Sequence, residues 1–241
     1  MLKPNLLERY LAELLNGDRT CCRAVIEETL QSGVPANSVY TDVIWPIMVE
    51  IDNLYHQEKI DSAQEAFATR INRTIVDQLQ NKLPQKPRKS KRIVVCSHLT
   101  EQAELGAQMV ADLFESDGWE VRLLGASVNH DDILAFVNSY YPDILLFYGI
   151  TAKAAPQLRK LIDKIKTINA WPDLKIMLTG GLFNRADGLW EEIGADMFAP
   201  TAADSVRVAS DGNFSSPQRT INRRKKRPAL TDTATQPTAT N

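Results

Sequence analysis

Residues 97–108, SHLTEQAELGAQ, contain a spacing that could serve a ligand, Glu101-x-Ala103-x-x-Gly106. The stretch follows the β-branched run RIVVC and precedes a helical pattern, MVADLFESDGW. A polar loop between a strand and a helix is where α/β proteins usually hold ligands. We therefore expect a binding site at this loop. Glu101 could also serve only as a helix N-terminal acid that the helix dipole favours.

The three histidines are candidate metal ligands, because neutral imidazole suits cobalt or haem iron. His56 follows Tyr55 in a predicted helix, so it could reach the face of a flat macrocycle or be an ordinary exposed helical histidine. His98 ends the first predicted strand, where its side chain could face away from the site. His130 could simply start a helix.

No catalytic set emerges from the sequence. Cys96 and His98 would share one face of a strand, but no third orienting group can be assigned, and a buried cysteine is commonly inert. The sequence contains no Gly-x-Ser-x-Gly motif, phosphate-binding loop or paired Cys/His zinc spacing. We expect no catalytic residues and a protein that is not an enzyme.

The chain up to residue 83 is helical by pattern. The predicted helices are LLERYLAELLNG, RTCCRAVIEETLQSG, a third from about Ser38 through VYTDVIWPIMVEIDNLYHQE, and SAQEAFATRINRTIVDQLQNKL. Pro46 should kink the third helix or start it afresh. The expected buried stripe of the fourth helix is Ala63, Ala66, Phe67, Ile71 and Ile75. Four such helices with short joins describe an α-helical bundle, which we place at residues 1–83.

Residues 93–209 alternate between short β-rich runs and helical patterns. The runs are RIVVCSH, WEVRLLG, DILLFYG, KIMLTGG and ADMFAP. This alternation predicts a parallel sheet covered by helices on both faces. Five strands in this length match an α/β fold, a flavodoxin-like, doubly wound domain preceded by the helical cap.

Two basic segments flank this domain. Residues 84–92, with PQKPRKSKR, read as a linker that is either a solvated spacer or a phosphate contact. Residues 210–241 are Ser/Thr/Pro-rich and expected to be disordered. Their run RRKKR could contact nucleic acid, anionic lipid or an acidic partner, or could only aid solubility.

Composition bounds the class of protein. The chain has 241 residues, 44% hydrophobic, 24% charged and with a net charge of −2, as in ordinary globular proteins. No apolar stretch approaches the roughly 20 residues of a membrane span. The N-terminus is charged where a signal peptide would be apolar. Three cysteines are too few for a disulfide scaffold, so we expect a reduced, cytoplasmic protein.

The order of helical bundle, basic linker and flavodoxin-like domain resembles the cobalamin-binding module of methionine synthase, corrinoid carrier proteins and light-sensing cobalamin regulators. The resemblance runs from Leu6 to about Val208. In that family the first strand leads into Asp/Glu-x-His-x-x-Gly, whose histidine is the lower ligand of cobalt and whose acid orients it. Here Glu101 and Gly106 match, but the histidine is replaced by Ala103. The resemblance therefore implies a module without its usual lower ligand.

Two further motifs carry the resemblance to the site. The family has Ser-x-Leu beside the buried nucleotide tail, where this chain has Tyr148, Gly149 and Ile150. A tyrosine in the serine position could fill part of the tail's tunnel. The family's Gly-Gly pair after the fourth strand is Gly180-Gly181 here, which could let a ligand approach or serve only as a turn.

The helical cap offers a second comparison. In the light-sensing regulators a Trp-His pair lies over the upper face of the corrin, and a Glu-His pair follows on the next helix. This chain aligns Tyr55-His56 with the first pair and Glu65-Ala66 with the second. The resemblance implies that His56 could bind cobalt from above.

We therefore expect a non-catalytic cobalamin-binding sensor or regulator that acts through a protein partner. The alternatives are a haem-binding regulator, a corrinoid carrier for a methyltransferase, and a cofactor-free interaction module. The cofactor-binding residues expected from the resemblance are Tyr55, His56, Glu65, Glu101, Gly106, Tyr148, Ile150, Gly180 and Gly181, with His56 as the metal ligand. Nucleic-acid contact is expected only through the basic tail, with no membrane contact and with a homo-oligomer possible.

Overall fold

The N-terminal third of the chain is helical. The structure, a computed structural model, describes residues 5–97, 101–126, 128–149 and 151–211. The helices of this third are α1 (Leu6–Leu15), α2 (Arg19–Gln31), α3 (Ala36–Val39), α4 (Trp45–His56) and α5 (Ser62–Gln80). The carboxylate of Asp18 caps α2, and Asp61 forms a capping box with Gln64 at the start of α5. These caps satisfy backbone N–H groups that a helix start leaves unpaired, so they fix where each helix begins.

A π-helical turn at Tyr40–Ile44 joins α3 to α4. Pro46 lies in the first turn of α4. Proline has no N–H and its ring crowds the carbonyl four residues earlier, so a wider turn just before it keeps the chain helical. Of the two outcomes expected at Pro46, a kink or a fresh start, the structure shows a regular helix, α4, that begins at Trp45 directly after the π-helical turn.

The buried face of α5 differs in part from the expected stripe. Ile71 and Ile75 are buried and Phe67 is partly buried, but Ala63 and Ala66 are exposed. The buried positions are Ala68, Thr69, Ile71, Asn72, Ile75, Val76 and Leu79. Alanine favours a helix at exposed positions as well, so its spacing does not identify a buried face.

Five parallel strands form the sheet. They are β1 (Arg92–Ser97), β2 (Glu120–Leu124), β3 (Ile144–Tyr148), β4 (Lys175–Thr179) and β5 (Met197–Ala199), in the order β2-β1-β3-β4-β5. The helices between and after them are α6 (Glu101–Ser116), α7 (His130–Tyr140), α8 (Ala155–Ile168), α9 (Gly181–Arg185), α10 (Leu189–Ile193) and α11 (Ala202–Asp211). This strand order confirms the flavodoxin-like α/β fold with a helical cap.

The two faces of the sheet belong to different cores, because successive strand residues point to opposite faces. Ile93 and Val95 of β1 join a cluster that also contains the buried side chains of the cap, α6 and α11. Val94 and Cys96 join the cluster formed with α7 and α8. The cap and one face of the sheet therefore share a single hydrophobic core.

The basic segment 84–92 is exposed, but hydrogen bonds tie it to the turn after α6. The backbone N–H of Lys89 donates to the carbonyl of Gly118 at 2.9 Å. The ammonium groups of Lys86 and Lys89 both contact the carboxylate of Asp117, the former at 2.7 Å. These contacts hold the segment against the sheet domain, and its expected role as a linker stays a prediction.

Residues 212–241, with the basic run RRKKR, lie outside the described residues, so the expectations for that tail stay predictions. Among the described helices, none has the length and apolar character needed to cross a membrane.

Candidate functional site

The strand order reverses at β1, which lies between β2 and β3, and this is where open α/β sheets bind ligands beyond their carboxyl ends. Tyr148, the last residue of β3, lies in this crevice with 7% of its surface exposed. Its ring and hydroxyl lie within 2.2–2.3 Å of the position that a Cβ on Gly106 would take. The ring therefore packs directly on the backbone of α6, where any side chain at residue 106 would collide with it.

The cap covers Tyr148 from above. The ring of Trp45, at the start of α4, meets the Tyr148 ring edge to face, with centroids 5.9 Å apart and planes at 75°. This geometry is favourable for aromatic pairs. Burial raises the pKa of the Tyr148 phenol well above its ordinary value, and the nearby carboxylate of Asp52 raises it further. Tyr148 is therefore a neutral phenol enclosed between the sheet edge and the cap.

The loops after β3 and β4 close on the start of α6 beside Tyr148. A Cβ on Gly149 would lie 2.6 Å from the Cβ of Ala103, and one on Gly180 would lie 2.8 Å from the Gly149 nitrogen. Gly149 and Gly180 have φ angles of +69° and +112°, which glycine adopts without strain. The Gly149 N–H donates to the Thr179 carbonyl at 3.2 Å. Glycine here lets these two loops and the start of α6 approach one another closely.

An ion pair links the cap to the opposite wall of the crevice. A guanidinium nitrogen of Arg185, at the end of α9, lies 3.3 Å from one carboxylate oxygen of Asp52 in α4. The same guanidinium lies over Gly181, because a Cβ there would be 2.8 Å from it. The second carboxylate oxygen of Asp52 lies 3.3 Å from Nε2 of His56. Asp52 thus joins His56 to the sheet edge.

Tyr55 and His56 also line an open depression of about 460 Å³. Its walls come only from the end of α4, the following loop and the start of α5, namely Tyr55, His56, Glu58, Lys59, Ile60, Asp61 and Gln64. Glu65 is partly buried in the first turn of α5 and does not line it. In the described part of the chain, the cluster of three close metal-ligating groups is Glu13, Asp18 and Cys21, so His56 has no such set.

The structure thus brings Gly106, Tyr148 and Gly180 together, with Gly181 beneath Arg185. His56 reaches this edge through Asp52, whereas Tyr55 faces the cap depression. Ile150 and His98 lie outside the described residues. Glu101 begins α6, but its side chain also lies outside them. The roles expected for Ile150, His98 and Glu101 stay predictions.

The remaining candidates are structural. Cys96 is 3% exposed, and burial raises the pKa of its thiol to about 12, so it is a protonated thiol at neutral pH. His130 is exposed and begins α7 directly after its cap, Asn129. The expectation that His130 starts a helix is confirmed.

The sequence analysis did not identify Trp45, Asp52 or Arg185. Asp52 and His56 are four residues apart on a helix, a spacing at which side chains meet, so this pair could have been found. Asp52 and Arg185 are 133 residues apart. No local pattern could have paired them.

The residues in the crevice do not fit a cobalamin whose nucleotide tail is buried there. Ala103 offers no donor atom beneath a cobalt ion. The Tyr148 ring fills the space over Gly106, and the Gly149 backbone covers Ala103. By contrast, Asp52, His56 and Arg185 lie at the partly exposed mouth between α4 and α9 and could face a ligand.

Two protein-family models match the chain, both described as B12 binding domains. One covers residues 6–80 and the other residues 91–209. Monomethylamine corrinoid protein 2 of Methanosarcina acetivorans is 20% identical over 87% of this chain and 98% of its own length. A corrinoid protein of Desulfitobacterium hafniense is 26% identical over 44% of this chain and 49% of its own length.

A solved structure has the same fold. The monomethylamine corrinoid protein of Methanosarcina barkeri superposes with a TM-score of 0.75 at 18% identity, covering 86% of this chain and 98% of that one. The two family models together span the cap and the sheet domain. The chain therefore belongs to the B12-binding domain family, of which it has both the helical cap and the flavodoxin-like domain.

Proposed function

We propose that the chain is a non-catalytic corrinoid-binding protein of the carrier type, which holds a corrinoid and offers it to a protein partner. One observation carries the proposal. Both halves of the B12-binding module match, and they lie against each other at the carboxyl edge of the sheet through Trp45–Tyr148 and Asp52–Arg185.

The relatives favour the carrier over the sensor. Both curated relatives are corrinoid proteins, and one is named for a methylamine, which supports a methyltransferase as the partner class. The sensor and transcription roles stay predictions. The matches give the haem alternative no support.

The mouth between α4 and α9 is the proposed seat of the corrin ring. Val49, Asp52 and His56 recur at spacings of three and four on α4, so they share one face of that helix. Val49 is 43% exposed, and the Asp52 pair with Arg185 directs this face toward α9. His56, 61% exposed at its side chain, supplies a nitrogen for the upper face of the cobalt.

A second candidate is a cofactor-free interaction module. The filled crevice favours it, since the Tyr148 ring is buried between Gly106 and Trp45. In this case cap and sheet would act as one rigid surface for a partner protein.

A spectral titration tests the proposal. The purified chain is mixed with hydroxocobalamin or with diaquocobinamide, a corrinoid that lacks the nucleotide tail, and is then separated by gel filtration. We expect a corrin spectrum to co-elute with the protein. His56→Ala should shift the visible bands of the complex, whereas His130→Ala, on α7, should not.

Two outcomes count against the proposal. If neither corrinoid co-elutes, the cofactor-free module takes its place. If a corrinoid binds but His56→Ala leaves the spectrum unchanged, the chain still binds corrinoids but His56 is not a ligand of the cobalt. The carrier role is tested separately, by asking whether a corrinoid methyltransferase of the same host demethylates the methylated, loaded protein.

A further inference from the structure

We infer that Tyr148 blocks the crevice beyond the carboxyl ends of β1 and β3, so that the nucleotide tail of a corrinoid cannot enter it. This chain would then recognise a corrinoid by its corrin ring alone. The ligand class is a corrinoid that lacks its tail, or one whose tail stays outside the protein. This inference rests on the proposed function and adds which corrinoids the site accepts.

The walls of the crevice leave no space for a nucleotide tail beside the Tyr148 ring. On one side is the α6 backbone at Gly106, and the Tyr148 ring rests directly on it. On the other side the Trp45 ring packs at 5.9 Å between centroids. With 7% of each aromatic residue exposed, both faces of the gap are occupied by the chain's own atoms.

The floor beside the ring is closed by backbone rather than by a movable side chain. Gly149 lies on Ala103, and Gly180 lies on Gly149, each at a distance that leaves no room for a Cβ. Backbone in this arrangement cannot rotate aside as a surface side chain can, so among the described residues of the crevice Tyr148 is the group that a tail would have to displace.

The open mouth retains groups that suit the rim of a corrin ring, which carries amide side chains. Asp52 offers carboxylate oxygens, Arg185 offers N–H donors and His56 offers both kinds of group. Ala103 supplies no nitrogen below the cobalt. A tailed corrinoid would therefore keep its own base on the lower face, because the described crevice residues Ala103, Gly106 and Tyr148 offer no imidazole to replace it.

Comparing the protein's affinities for cobalamin and for cobinamide, which lacks the nucleotide tail, tests this selectivity. Dissociation constants for cobalamin and cobinamide are measured by spectral titration on the wild type, Tyr148→Ser and Tyr148→Phe. In the wild type we expect the two constants to agree within about threefold. Tyr148→Ser should favour cobalamin by about tenfold, or about 1.4 kcal/mol. Tyr148→Phe keeps the ring and should behave as the wild type.

A spectroscopic readout reports the tail directly. The protein carries His56→Ala, so that the His56 imidazole contributes no nitrogen, and bound cobalamin is reduced to cobalt(II). The electron paramagnetic resonance spectrum should show splitting from the cofactor's own base. Adding Tyr148→Ser should remove that splitting, because the base then leaves cobalt and enters the opened crevice. Circular dichroism confirms that each variant is folded.

The outcomes separate the inference from the proposed function. Wild-type protein that binds cobalamin about tenfold more tightly than cobinamide, without base splitting, overturns the inference while the proposed function stands. Binding of cobalamin by Tyr148→Ser alone supports the closed crevice but overturns the proposed function for the natural chain. If no variant binds either corrinoid, both are overturned.

Discussion

The hydroxyl of Tyr40 lies 3.0 Å from a carboxylate oxygen of Asp112, although the two residues are 72 positions apart. Tyr40 belongs to the π-helical turn of the cap and Asp112 to α6 of the sheet domain. The same hydroxyl lies 2.9 Å from the Val76 carbonyl, and Gln80 donates to the other oxygen of Asp112 at 3.0 Å. A buried polar contact therefore joins cap and sheet domain within their shared core.

Asp112 should make the protein less stable as the pH rises. Burial raises its pKa from 3.8 to about 6, so between these values the folded state holds a proton that the unfolded state has released. Stability is fully present below the unfolded pKa and falls through this window. We expect the unfolding free energy of Asp112→Asn, relative to the wild type, to rise by about 3 kcal/mol between pH 4 and pH 7.

Urea unfolding at each pH measures this difference. Asp173→Asn, at an exposed aspartate before β4, is the matched control and should show no such change. If the difference in unfolding free energy between Asp112→Asn and the wild type is the same throughout this pH range, the raised pKa of Asp112 is contradicted.

Asp117, five residues further on, should have the opposite effect. Burial alone would raise its pKa, but hydrogen bonds from Lys86 and Lys89 outweigh burial and lower it. A lowered pKa contributes stability that is present above the unfolded value and is lost as the pH falls. Asp117→Asn should cost about 1–3 kcal/mol at pH 7, because it removes charge-assisted hydrogen bonds. Below about pH 4 the gap to the wild type should narrow; a constant gap would contradict this account.

A double-mutant cycle should reveal the contact between Tyr148 and Gly106. Gly106→Ala places a Cβ inside the tyrosine ring position and should cost about 1–3 kcal/mol of unfolding free energy by overpacking. In a Tyr148→Ser background the same change should cost much less, with a coupling energy of about 0.5–3 kcal/mol. Gly125→Ala, whose nearest neighbour is a Glu104 oxygen at 3.7 Å, is the control. Equal costs of Gly106→Ala in both backgrounds would rule out the contact.

The Asp52–Arg185 pair should affect access more than stability. Side-chain exposures of 26% and 56% mean that solvent screens the pair, so Arg185→Gln should change the unfolding free energy by about 0–1 kcal/mol. Because the pair bridges the mouth between α4 and α9, its loss should speed corrinoid association in stopped-flow measurements. The control is Arg9→Gln, which breaks a comparable ion pair with Glu28 in the cap. Association that is unchanged or slower for Arg185→Gln would contradict the idea that the Asp52–Arg185 pair restricts entry to the mouth.

Much of the fold follows from local patterns in the sequence. Alternating β-rich and helical runs predicted five parallel strands, because parallel strands must be joined by crossovers that are usually helices. Pro46 predicted a kink or a new helix start, because its ring and missing N–H act on adjacent turns. The prediction that Ala63 and Ala66 are buried was wrong, because alanine stabilises a helix whether or not it is buried.

The sequence predicted that the candidate site lies at the carboxyl edge of the sheet, but it did not predict how the side chains there are arranged. The end of β3 and the Gly-Gly pair after β4 follow strands of one parallel sheet, so they lie at its shared carboxyl edge, whereas the binding role expected for the loop after β1 stays a prediction. The sequence also indicated that Ala103 cannot bind metal. Trp45 and Arg185 gave no local signal, because their contacts join segments far apart in the chain.

The sequence by itself determined the fold, the family and the presence of Ala103 where the family has a histidine, since these depend on residue types and their spacing. Tertiary structure decided that the Tyr148 ring lies on Gly106 beneath Trp45 and that Asp52 ties the cap to Arg185. Side-chain packing across the cap and sheet depends on distances between segments that no local pattern encodes. That packing places the Tyr148 ring in the crevice and leaves Asp52 and Arg185 partly exposed between α4 and α9.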